Sequence, residues 1–162
     1  MIKVGEALPS VTLTESVDGA PTPFDVVKEA AGKTVALFAV PGAFTPTCSN
    51  QHVPGFLENH DALKTAGVDE IWCVAVNDPF VMDAWAKAQN TGGKIRMLAD
   101  GNAEFAKAVG LTLDASGLGL GLRSQRYSML VKDGKVTTLN VESDPTKAEV
   151  SNGATMLEQA KG

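Results

Sequence analysis

The sequence predicts an α/β fold, a mixed central sheet flanked by helices, and three observations predict it. Two near-continuous apolar runs, Thr34–Val40 (TVALFAV) and Glu70–Val76 (EIWCVAV), have the character of strands covered on both faces. Helix signals stand between and after them, so strands and helices alternate through most of the chain. Towards the C-terminus, Asp133-Gly134 separates two β-like runs, a strong hairpin signal. No repeat, linker or low-complexity segment divides the 162 residues, and their length suits one domain spanning 1–162.

Each element has its own warrant. Thr34–Val40 is the first buried strand. Pro46 to about Lys64 reads as a helix that Pro54 should kink and Gly55 weaken. Glu70–Val76 is the second buried strand. Asp78 followed by Pro79 is an N-cap with proline at the first helical position, opening PFVMDAWAKAQN. Lys94–Leu98 is a third strand, and Ala103–Val109 a short helix stopped by Gly110. Tyr127–Lys132 and Lys135–Val141 form the hairpin, and a helix at about Ala154–Lys161 closes the chain. That order suits a thioredoxin-like fold.

Charge and composition exclude several functions. A net charge of −5 argues against nucleic acid, whose binding footprint is basic and clustered. No stretch approaches the roughly 18–20 apolar residues that span a bilayer, so no membrane partner is expected. The opening MIKVGEALPS has no basic segment leading into an apolar run, so no secretory signal is visible. Two cysteines without such a signal do not form a disulfide framework. The expected compartment is a reducing cytoplasm.

The most informative stretch is FTPTCSNQH, residues 44–52. Thr45 is a good N-cap, its hydroxyl able to accept from an orphan amide of the first turn. Pro46 falls where its missing N–H costs nothing. Cys48 then lies three residues past the cap, where unpaired amides and the helix dipole favour a thiolate. Helix N-termini are among the places where thiols become reactive. The alternative is a small buried hydrophobe, as free cysteines often are. Such a filler needs neither the threonine cap nor the proline.

The run PGAFTPTC places Pro41, Thr45 and Cys48 on the fixed positions of P-x-x-x-T-x-x-C and resembles the peroxiredoxins. The extension CSNQHVPGF, with GVDEIWCVAVNDPFVMDAW, KIRMLAD and RYSMLVKDGKVTTLNVE, is similar to the type II branch, which includes plant type II and animal peroxiredoxin-five proteins. The resemblance covers nearly the whole chain. It implies an antioxidant thiol peroxidase that reduces hydrogen peroxide and alkyl hydroperoxides through a sulfenic acid on Cys48, with no metal or organic cofactor. It also implies donors around the peroxide: Thr45, the backbone amides near Thr47 and Cys48, and an arginine. Arg126, directly before Tyr127-Ser128-Met129, matches that arginine by context, with Arg123 as second candidate; Pro41 would shield the pocket. Phe44, Pro79 and Phe80 are either ordinary packing or, by the same resemblance, a homodimer interface.

Cys73 lies in a uniformly apolar run and reads most simply as core, with a resolving role as the other possibility. The animal branch carries its resolving cysteine in the segment matching Glu149–Asn152, where this chain has Val150 and Ser151. An outside reductant, glutathione with or without glutaredoxin, is therefore expected. A redox relay that passes oxidation from Cys48 to a client protein uses the same residues. His52, one turn past Cys48, reads as structural or supporting, not as a base. With only His52 and His60, no metal site is expected. GLGLGL (117–122) lacks the dinucleotide-loop spacing and leads into a strand.

Overall fold

A computed structural model describes all residues, Met1–Gly162. The chain opens with a hairpin, β1 (Thr12–Val17) and β2 (Ala20–Asp25), then a short helix α1 (Val26–Ala30) capped by the Asp25 carboxylate. Strand β3 (Thr34–Val40) leads through the loop 41–45 into a π-helical turn, Cys48–His52, then α2 (Val53–Glu58) and α3 (His60–Thr65). Next come β4 (Glu70–Ala75), α4 (Pro79–Ala88), β5 (Arg96–Ala99) and α5 (Glu104–Val109). A small ribbon, β6 (Thr112–Asp114) with β7 (Leu122–Ser124), precedes the hairpin β8 (Tyr127–Lys132) and β9 (Lys135–Val141), and α6 (Gly153–Lys161) ends the chain.

The seven-stranded main sheet has the order β2-β1-β5-β4-β3-β8-β9. β3, β4 and β5 run parallel, and β1 and β8 flank them antiparallel, so the sheet is mixed as expected. This is the thioredoxin-like arrangement. Alternation along β3 splits the core in two. Val35, Leu37 and Ala39 join Phe24, Trp72, Phe105 and Tyr127 on one face. Ala36, Phe38 and Val40 join Cys48, Phe56, Cys73, Trp85 and Met156 on the other, under α2, α4 and α6. The segment that carries Cys48 is thus built on the second face, where β3 ends.

Two expectations need correction. The region from Pro46 to Lys64 is not one kinked helix. It is a π turn, then two helices that break at Asn59. Pro54 sits in the first turn of α2, directly after the π turn. The wider turn relieves the clash a proline ring makes with the carbonyl four residues back. The N-terminal hairpin and the β6–β7 ribbon are additions that the sequence reading did not include.

Candidate active site

The loop from Pro41 to Thr45 is fixed from both sides. Asn77 Oδ1, just past β4, accepts from the Ala43 amide at 2.9 Å. Gly42 is tight: a Cβ there would meet Arg123 Nη1 and Thr45 Cγ2 at 3.3 Å each. Phe44 takes the left-handed conformation, φ 65°, a strained choice for an aromatic residue, and its half-exposed ring leans on Trp85. Trp85 in turn donates to Ser49 Oγ at 3.0 Å and so anchors the π turn to α4.

The Cys48 side chain is fully buried, 0% exposed, at the start of that turn. Its Sγ lies 2.9 Å from Thr45 Oγ and 3.0 Å from Arg126 Nη2. Thr45 therefore does not cap the helix as expected. Its hydroxyl lies 2.7 Å from the Gly42 carbonyl as well as close to sulfur, and it has one proton for two claimants. The backbone amides of Thr47 and Cys48 donate to no protein acceptor and remain available in the first turn. The Thr47 hydroxyl instead donates to the Thr146 carbonyl at 2.6 Å. Pro41 is half-buried at the end of β3.

Arg126, 2% exposed, is the arginine that reaches sulfur. Its Nε donates to the Pro145 carbonyl at 2.9 Å and its Nη1 meets His52 Nδ1 at 2.9 Å. Arg123 points elsewhere, to the carbonyls of Leu120 and Val76 at 2.9 and 3.0 Å, and braces the loops around the site. Only Ser124 and Gln125 separate the two arginines, but the break between β7 and β8 at residues 125–126 lets one reach sulfur while the other braces the loops.

Behind the guanidinium, His52 Nε2 sits 2.8 Å from the Ser151 carbonyl. Burial first, then repulsion from Arg126, lowers the His52 pKa to about 3, against the opposing pull of that carbonyl and Glu142. Glu142 Oε2 accepts from the Val150 amide, the Ser151 amide and Ser151 Oγ at 2.9, 2.7 and 2.6 Å. Burial alone would raise the Glu142 pKa; these donors outweigh it and hold the carboxyl below its usual range. Glu142 and Asn77 are site-shaping residues that sequence reasoning missed, since a lone acidic or amide side chain at a strand end carries no signal.

Cys73 lies in β4 between Phe38 and Met97, buried and unpaired. Burial pushes its thiol up, well above the usual range. His60 Nδ1 lies 2.8 Å from the neighbouring Asp61 carboxylate, and residues 117–121 form a turn leading into β7.

The Redoxin family profile matches residues 3–157. Peroxiredoxin-2B of Arabidopsis thaliana is 50% identical to the chain over 144 residues, 88% of each protein. The chain belongs to the peroxiredoxins. Peroxiredoxin-2C of Oryza sativa subsp. japonica is 58% identical over 113 residues, 70% of each. Among solved structures, reduced Prx3 from Vibrio vulnificus in complex with hydrogen peroxide superposes with a TM-score of 0.93 at 52% identity, covering 99% of this chain and 97% of that one. This peroxiredoxin is accordingly a thiol peroxidase, of the type II group that the plant relatives represent. None of its helices is long and apolar enough to cross a membrane.

Proposed function

We propose that Cys48 is the peroxide-reducing sulfur and that it reacts as a thiolate paired with Arg126. One observation carries this reading. A guanidinium buried to 2% exposure has no carboxylate partner; it touches a carbonyl, a neutral imidazole and Cys48 Sγ. A buried cation without a counter-charge is costly, and sulfur is the contacting group able to supply one. The thiolate attacks one peroxide oxygen, an S–O bond forms, and the O–O bond breaks. The electron pair leaves on the second oxygen, which takes up a proton as water or alcohol, and Cys48 is left as sulfenic acid. Arg126, Thr45 and the free amides of Thr47 and Cys48 stabilise the charge that develops on the oxygens. Pro41 keeps water from the sulfur. The peroxide bound in the Vibrio vulnificus relative supports hydrogen peroxide as a substrate.

The reductant we propose is glutathione, directly or through glutaredoxin. Its thiolate attacks the sulfenic sulfur and expels hydroxide, and a second thiol reduces the mixed disulfide. Two features support an outside thiol: residues 149–152 contain no cysteine, and the Cys73 thiol lies within the sheet. Because Cys48 is fully buried, resolution requires the π turn to open. Two free cysteines favour a reducing compartment, the cytoplasm. Phe44 and Phe80, large apolar side chains left 55% and 65% exposed, support a homodimer that would cover them.

The test is peroxide consumption by wild type and Cys48→Ser with glutathione, glutathione plus glutaredoxin, or thioredoxin supplied separately. Sustained turnover with glutathione and none in the variant are expected. Activity in folded Cys48→Ser would overturn the assignment of the sulfur. Turnover with thioredoxin alone would overturn the reductant. A single oxidation equivalent without turnover would make the protein a relay.

A further inference from the structure

We infer that His52 is a positioning residue: its Nδ1 lone pair holds Arg126 Nη1, and so aims Nη2 at Cys48. The inference rests on Cys48 being the reacting sulfur, and its central test reads the imidazole directly.

The geometry fixes the tautomer. A carbonyl oxygen can only accept, so the nitrogen 2.8 Å from the Ser151 carbonyl, Nε2, must carry hydrogen. The other nitrogen, Nδ1, then keeps its lone pair and faces Arg126 Nη1 at 2.9 Å. An Nδ1–H tautomer or an imidazolium would set two donors against each other in a fully buried space. The charged groups facing the ring, Arg126 and Glu142, act in opposite senses, and burial with Arg126 wins, so the ring stays neutral. Without this acceptor the guanidinium keeps, apart from the Cys48 contact it has to aim, only Nε at the Pro145 carbonyl, a single point about which the Nη groups can swing.

The ring itself is not free to turn. It packs against Phe38 and Phe56, with centroids 4.7 and 5.7 Å away. Its far side is tied to Ser151, which donates two hydrogen bonds to Glu142 while the neighbouring Val150 amide donates a third. The loop after β9 is thereby coupled to the guanidinium through one imidazole.

Two substitutions separate the two halves of this bridge. His52→Asn places an amide oxygen where Nδ1 was and loses the Ser151 contact. His52→Gln reaches Ser151 and vacates the Nδ1 position. The expected result is that His52→Asn keeps kcat/KM for hydrogen peroxide at the wild-type order of magnitude. His52→Gln and His52→Leu should lose about 10²-fold, with KM for glutathione unchanged. Retention in Gln with loss in Asn would make His52 a loop tether and overturn the inference, as would equal retention or equal loss among variants that fold by circular dichroism. The imidazole nitrogens of the unmodified protein provide the second measurement, by long-range proton–nitrogen NMR between pH 5 and 8. A bare Nδ1 with a protonated Nε2 is expected. The opposite tautomer, or a doubly protonated ring, overturns the inference whatever the variants do.

Discussion

Two sulfurs lie in the same layer of the core, both wholly buried, and their surroundings are opposite. Cys48 is met by a guanidinium and a hydroxyl, in a turn with two unclaimed amides. Cys73 is met by Phe38 and Met97 as register neighbours, and burial holds its proton on. Burial therefore does not decide what a thiol does. The donors that accompany it do, and they can be supplied only where a strand ends and the chain is free to fold back.

The strongest challenge to this contrast is oxidation mapped by mass spectrometry after one equivalent of hydrogen peroxide. Cys48 should carry the modification and Cys73 should remain a thiol; oxidation shared between them would erase the distinction. Next, Arg126→Gln should lower kcat/KM for peroxide by about 10²- to 10³-fold, the loss of an oriented charge at the reacting atoms. Arg123→Gln, which removes no contact to sulfur, should lose far less in the same stopped-flow assay. A pH series extends the contrast to the groups behind Cys48. Below its unfolded pKa of 6.5, the unfolded chain binds a proton at position 52 that the folded protein refuses until about pH 3. Stability should therefore fall as pH drops from 6.5 towards 5, with a slope that steepens from about 0.7 to about 1.4 kcal/mol per unit, with urea midpoints as the measure. His52→Asn should flatten that slope. Smallest of all, Cys73→Ala should cost about 0.5–1.5 kcal/mol in urea unfolding, the scale for deleting one buried group, and leave peroxide turnover unchanged.

What the sequence disclosed, and what it hid, follows the same physics. The β8–β9 hairpin was legible because Asp133 and Gly134, φ 49° and 78°, occupy conformations that this dipeptide favours. Asp18 and Gly19 sit at φ 52° and 81° in the first hairpin, the same signal. There Pro21 and Pro23 disguise the strand, and they are tolerated because β2 lies on the sheet edge. The Asp78–Pro79 start of α4 was legible, since a cap is local chemistry; its carboxylate accepts from Val81 as expected. In the site, Thr45 Oγ and Arg126 Nη2 both lie within 3.0 Å of Cys48 Sγ. The hydroxyl of Thr45 faces sulfur and a carbonyl, not an amide, since both acceptors lie within its reach. The choice between Arg126 and Arg123 depended on one break between strands that no residue type announces. Glu142 and Asn77 act across 8 to 34 positions of sequence, at distances where local pattern carries no information.

The π turn holds a latent rotation. Its Val53 amide reaches back five residues to the Cys48 carbonyl, one more than an α-helix would. Each helical residue advances the chain by about 100°. Rewinding that single surplus residue would swing everything upstream through roughly a quarter turn, carrying Cys48 out of the grasp of Arg126. The helix beyond need not follow. A Cβ on Gly153 would lie only 2.4 Å from the Gly55 carbonyl, so α2 and α6 are pressed backbone to backbone below the joint. The joint thus sits above a clamp, and such a rewinding would turn the sulfur outward without disturbing the floor on which it stood.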